Sequence, residues 1–98
     1  METPQRITPQ LLAVLRVLVD QEDGEQLYGR AVAEKTGLTS GVVTLIFKRL
    51  AALGWLSEEW EALDSRTARP RRKYVSLTPQ GREASQRVLV ARTATRGK

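Results

Sequence analysis

The sequence predicts a mainly α domain of the α+β class, about four helices with one small β-hairpin, and three observations carry that reading. Apolar residues recur at spacings of three and four after Thr8 and again after Thr39. One stretch, Trp55 to Glu61, alternates instead and is followed by a polar, basic segment that leads into a second strand. Two Thr-Pro pairs and the glycines at positions 37 and 54 supply start and stop signals at the right places.

The first helix starts at Thr8, whose side chain can cap it, with Pro9 at the first helical position where a missing N–H costs nothing. Leu11, Leu12, Leu15, Leu18 and Val19 form its apolar stripe, and the run from Asp20 to Gly24 ends it. A short second helix is expected from about Gly29 to Lys35, with Ala31, Val32 and Ala33 as its small apolar content. Gly37 stops it as a left-handed residue without a Cβ penalty. Only Leu38 then separates this stop from Thr39 and Ser40, either of which can accept from the first orphan amides of a third helix. That helix runs to Leu53 and is closed by Gly54. Val43, Ile46, Phe47, Leu50 and Leu53 share its core face, while Gly41, Thr44, Leu45, Lys48 and Ala52 point outward.

In the first strand Leu56, Glu58 and Trp60 fall on one side, and Trp55, Ser57, Glu59 and Glu61 on the other. The partner strand is Arg71 to Leu77, and the polar segment from Ala62 to Pro70, with Asp64, Ser65 and Thr67, is expected to be a mobile loop. Loop and far strand carry Arg66, Arg69, Arg71, Arg72 and Lys73, five cations within eight residues. Glu58, Glu59, Glu61 and Asp64 are expected to pair with these arginines across the strands rather than to hold a cation, and no metal site is expected. Thr78, Pro79 and Gln80 repeat the opening of the first helix and start a fourth. Its narrow small-residue face is Gly81, Ala84, Val88 and Ala91, flanked by Arg82, Arg87 and Arg92. One domain is expected, ordered over about residues 8–92, with residues 93–98 flexible.

Composition narrows the chemistry. The 98 residues suffice for one modest core and not for two. There is no cysteine and no histidine, which removes disulfides, thiolate metal sites and the commonest general base. No apolar run approaches the roughly 18 residues of a membrane span, and the amino terminus lacks the order of a signal peptide, so a cytoplasmic protein is expected. The net charge of +5 is unevenly placed: residues 1–47 hold four Lys or Arg against six Asp or Glu, whereas residues 48–98 hold twelve against five. The basic half suits a polyanion.

Two helices joined by so tight a turn make a helix-turn-helix, and the second of them is the candidate reader of a major groove. The start of that helix is small and uncharged outside, which lets backbone approach a duplex, and its amino terminus favours phosphate. Thr39, Ser40, Gly41, Thr44, Lys48 and Arg49 are the candidate contacts on the helix, with Arg66, Arg69, Arg71, Arg72 and Lys73 on a hairpin wing.

The residues that carry a family resemblance are Leu27-Tyr28-Gly29, then Gly37-Leu38-Thr39-Ser40-Gly41, then Lys48-Arg49-Leu50 and Gly54. More specific are Trp60 and, beyond the loop, Pro70-Arg71-Arg72-Lys73-Tyr74 followed by Leu77-Thr78-Pro79-Gln80-Gly81-Arg82-Glu83-Ala84. Over about residues 10–90 the chain resembles the PadR-like winged-helix transcriptional regulators. The resemblance implies a bacterial dimeric regulator, usually a repressor, that binds a palindromic operator with the third helix in the major groove and the wing beside it. Carried over by position, Ser40, Gly41, Thr44 and Lys48 would face the groove, and Arg71, Arg72 and Lys73 would lie on the wing strand. The chain departs from the family at Thr44, where many members carry Tyr, and in its short carboxyl-terminal region.

Some members hold flat aromatic ligands between tryptophans at the dimer interface, which makes Trp55 and Trp60 candidate contacts for a small aromatic effector; a tryptophan at the root of a hairpin is more often core, and core is the reading favoured here. Leu11, Leu15, Leu18 and Val19 of the first helix and Ala84, Val88 and Ala91 of the fourth are expected to stay partly exposed in a lone domain and to form a homodimer interface. The leading expectation is thus a sequence-specific regulator, a repressor, of double-stranded DNA. The alternative is a winged-helix protein-interaction module, an antirepressor or assembly factor, whose basic wing meets an acidic protein. No enzyme and no cofactor are expected, because catalysis would rest on Ser, Lys or carboxylates without a recognisable constellation.

Overall fold

The computed structural model describes residues 7–64, 66 and 68–96. Its order is α1 (Pro9–Val19), β1 (Leu27–Tyr28), α2 (Gly29–Thr36), α3 (Ser40–Ala52), β2 (Leu56–Trp60), β3 (Lys73–Leu77) and α4 (Pro79–Arg96). The three strands form an antiparallel sheet in the order β1-β3-β2, and the β2–β3 hairpin is the wing of a winged helix-turn-helix.

The helix starts follow the expected caps. Thr8 Oγ1 accepts from the Leu11 amide at 3.1 Å, and Thr78 Oγ1 accepts from the Gly81 amide at 2.9 Å while its hydroxyl donates to the Gly54 carbonyl at 2.8 Å. Thr78 therefore ties the start of α4 to the end of α3. Leu11, Val14, Leu15, Leu18, Val43, Leu50 and Trp55 are fully enclosed, and with Val32, Phe47, Val75 and Ala84 they make one core under the sheet.

The structure differs from the expected elements at several points. The two-residue strand β1 went unforeseen because it is too short to show alternation; Leu27 pairs with Val75 and Tyr28 with Tyr74. The hairpin strands are shorter than expected, five residues each, in the register Leu56↔Leu77, Glu58↔Val75 and Trp60↔Lys73. Helix α4 is assigned over Pro79–Arg96; Gly97 and Lys98 lie outside the described residues, as do Ser65 and Thr67 of the loop. Finally, α1 and α4 pack on each other, so Leu11, Leu15 and Leu18 at 0%, Ala84 at 2% and Val88 at 9% exposure belong to the monomer core and offer no surface to a second subunit. Four helices and a short sheet bury these stripes because α4 lies across α1, where Arg82 Nη1 also donates to the last-turn carbonyl of Val19 at 3.1 Å. Only Ala91 of that set is exposed, beside Val90 at 67%.

Gly81 permits this arrangement. A Cβ there would stand 2.6 Å from the Trp55 Cα, so the first turn of α4 rests directly on the backbone at the root of the hairpin.

Candidate nucleic-acid interface

Helix α3 is set in place by the turn before it. Gly37 has φ +78° and its N–H donates to the Ala33 carbonyl at 2.8 Å. The Thr36 hydroxyl donates to the Val32 carbonyl at 2.8 Å and accepts from the Leu38 amide at 3.3 Å. Thr39 then caps α3, accepting from the Val42 amide at 3.3 Å. With the start fixed, Val43, Ile46, Phe47 and Leu50 enter the core, and the opposite face is left to solvent.

That face holds two neighbouring rows, the residues within each row one turn apart. Ser40, Thr44 and Lys48 form the first, and Gly41, Leu45 and Arg49 the second; all six are exposed. Leu45, 63% exposed, is the residue whose part in the surface sequence reasoning missed, although its outward position was legible from the helical period. A leucine so placed is a group able to contact a thymine methyl.

A cleft of about 240 Å³ separates α3 from the sheet and joins the two expected halves of the site. Thr44 and Lys48 line one wall, Tyr28, Arg72, Lys73 and Glu58 the other, with Phe47 and Val75 at the base. The Arg72 guanidinium lies 4.2 Å from the centre of the Tyr28 ring, which holds it at the mouth by cation–π attraction. Lys73 reaches Glu58 Oε2 at 3.9 Å. The other side of the sheet is different in character: Glu59, Ser57 and Ser76 face Glu25 there.

The remaining wing cations are held differently. Arg69 grips Glu61 with both arms, at 2.8 and 2.9 Å. Glu61 also accepts from the Arg72 amide at 3.3 Å and the Tyr74 hydroxyl at 3.0 Å. These bonds, the Arg69 pair foremost, hold the Glu61 carboxyl down at about 2, and the same pair raises the Arg69 guanidinium. Tyr74 in turn meets Tyr28 edge to face at 6.0 Å. The base of the loop is thereby fastened to the strand that presents Arg72. Arg66 folds back on Asp64 at 3.3 Å, and its amide bond to that carboxylate lowers the Asp64 value. Arg71 is exposed, 5.6 Å from the Trp60 ring.

The two tryptophans part company. Trp55 is fully buried at the root of the hairpin, whereas Trp60 is 56% exposed at the far end of β2, which corrects the expectation that it is core. Five extended residues place them about 16 Å apart, so within one chain they do not form the two walls of one aromatic slot.

Among the described residues no group of three or more His, Cys, Asp or Glu stands together to hold a metal ion, and no helix is long and apolar enough to cross a membrane.

Solved structures share this fold, among them a transcriptional regulator. The chain is similar to the PcaV transcriptional regulator of Streptomyces coelicolor, at 28% identity and a TM-score of 0.68 over 92% of this chain and 60% of that one. It is similar to YusO of Bacillus subtilis, at 26% identity and a TM-score of 0.70 over 93% of this chain and 59% of that one. A candidate DNA-binding protein of Ralstonia eutropha, 20% identical with a TM-score of 0.63, matches over 85% of this chain and 98% of its own. The chain thus spans about six-tenths of the length of the first two and nearly all of the third. No family model and no curated protein sequence matches it.

Proposed function

We propose that this protein is a sequence-specific regulator of transcription that binds double-stranded DNA with α3 in the major groove and the wing on the adjoining backbone. The observation that carries this reading is the cleft in which Thr44 and Lys48 of the helix face Arg72 and Lys73 of the wing across one opening. A surface with small groups at the start of the helix, cations on both walls and a fixed wing suits a groove and its flanking phosphates at once. The PadR-like motifs and the regulators of known structure with this fold support the same reading.

In this account the protein acts as a repressor on an operator with inverted half-sites, bound as a homodimer. The twofold contact is placed on the α4 surface at Val90 and Ala91, both exposed. Two copies joined there would present their α3 helices to half-sites about 34 Å apart. The experiment is a titration of DNA from upstream of the protein's own gene against a scrambled duplex, at several salt concentrations. Preferential, salt-dependent binding supports the proposal; equal, weak binding to both, with capture of an acidic protein partner instead, supports the interaction-module alternative.

A further inference from the structure

The geometry points to Trp60 as a DNA contact, its ring packing on the deoxyribose of the backbone beside the groove while Arg71 and Lys73 reach the phosphates on either side. The inference rests on the proposed DNA-binding reading and adds a residue to it. Trp60 pairs with Lys73, and Glu58 pairs with Val75 one step inward. Alternation along a strand puts Glu58 and Trp60 on the same side of the sheet. Glu58, Lys73 and Val75 line the cleft that faces Thr44 and Lys48, so Trp60 continues that wall outward by about 7 Å.

At that position the ring is 56% exposed, a large cost for an indole that serves only to pack a hairpin. Arg71 stands 5.6 Å and Lys73 5.1 Å from its centre. A ring flanked by two cations makes a poor surface for a second protein's apolar core, since both charges would have to be desolvated. A polyanion resolves this, because the cations meet phosphates while the ring covers the apolar sugar between them. The charge of the chain agrees, with twelve of its sixteen cations in residues 48–98.

The full chain offers a direct optical test, since Trp60 is exposed and Trp55, the other tryptophan, is enclosed. A mixed-sequence duplex of about two helical turns is the probe. Acrylamide should quench the wild type through Trp60, and saturating duplex should protect it. In Trp60→Phe the residual Trp55 emission should respond to neither. Trp60→Ala should weaken binding about tenfold with an unchanged salt slope, because an apolar contact releases no counterion. Trp60→Phe should recover most of that loss, and an unchanged melting curve in both variants would locate the effect at the interface. The inference is overturned if wild type binds duplex while Trp60 stays open to acrylamide and Trp60→Ala binds equally well. It is overturned equally if raising the protein concentration without DNA gives the protection, which would assign the ring to a second copy. A wild type that binds no duplex at all would instead overturn the underlying reading, and the inference with it.

Discussion

Replacing Arg71 and Arg72 with Ala should lower the salt dependence of duplex binding by an amount that can be worked out beforehand. Arg72 lies at the mouth of the cleft, braced on Tyr28, and Arg71 is exposed beside Trp60. If each meets one phosphate, the double variant loses about 1.8 from the slope of log K against log salt. Over a fourfold rise in salt, from about 50 to 200 mM, the wild type should therefore lose about twelvefold more affinity than the variant. The loss should be the same for any duplex sequence, because phosphate contacts carry no base information. The control is the pair Glu83→Gln with Arg87→Ala, which removes one charge of each sign from an exposed ion pair on α4. Its slope should match the wild type. Fluorescence anisotropy at five or six salt concentrations reads both slopes. An Arg71/Arg72 variant with the wild-type slope would refute the placement of the wing on the backbone.

Three further outcomes follow from particular contacts. Thr44→Ala should alter base preference in a competition assay with little change in melting temperature, whereas Phe47→Ala, which empties a core position, should cost about 3–5 kcal/mol and unfold a domain of this size; a Thr44 variant with wild-type preference would mean that sequence is read elsewhere. Gly81→Ala drives a methyl into the Trp55 backbone and should destabilise by about 1–3 kcal/mol or more in urea, and a neutral result would contradict the close approach of α4 to the hairpin root. Because the Glu61 carboxyl is held below its ordinary 4.5 at about 2, its stabilising bonds are fully present above the higher value and disappear as pH falls through the lower one. The melting-temperature gap between wild type and Glu61→Gln should accordingly be constant from neutral pH to about 4.5 and close toward 2, and a gap that changes near neutrality would point to another group.

The helices were legible because their signals are local. Thr8 and Thr78 cap through their own hydroxyls, Gly37 turns left-handed where the helix must stop, and the three-and-four spacing of Val43, Ile46, Phe47 and Leu50 names a buried face without reference to the rest of the fold. What escaped depends on distant parts of the chain. Strand β1 exists only because β3 offers it an edge, and two residues carry no period of their own. Leu11, Leu15 and Leu18 were read as apolar, correctly, but whether a stripe meets its own chain or a partner depends on how α4 crosses α1, which no spacing encodes. Trp60 alternates with Glu58 and Leu56 as a strand residue should; its exposure arises because the buried core under the sheet ends at Val75, the partner of Glu58, one same-face step short of the Trp60–Lys73 pair. The wing cations were visible as a run, yet the run alone did not divide them. The structure gives Arg69 to Glu61 and Arg72 to the cleft.

The measurement that bears most directly on the central claim is selection of bound duplexes from a random-sequence pool by the intact protein, followed by sequencing. One short sequence should be enriched, occurring as inverted half-sites about one helical turn apart, with the enrichment weakened or redirected in Thr44→Ala. Recovery of the starting pool unchanged by a well-folded protein, at a salt concentration where it still binds duplex, would contradict it.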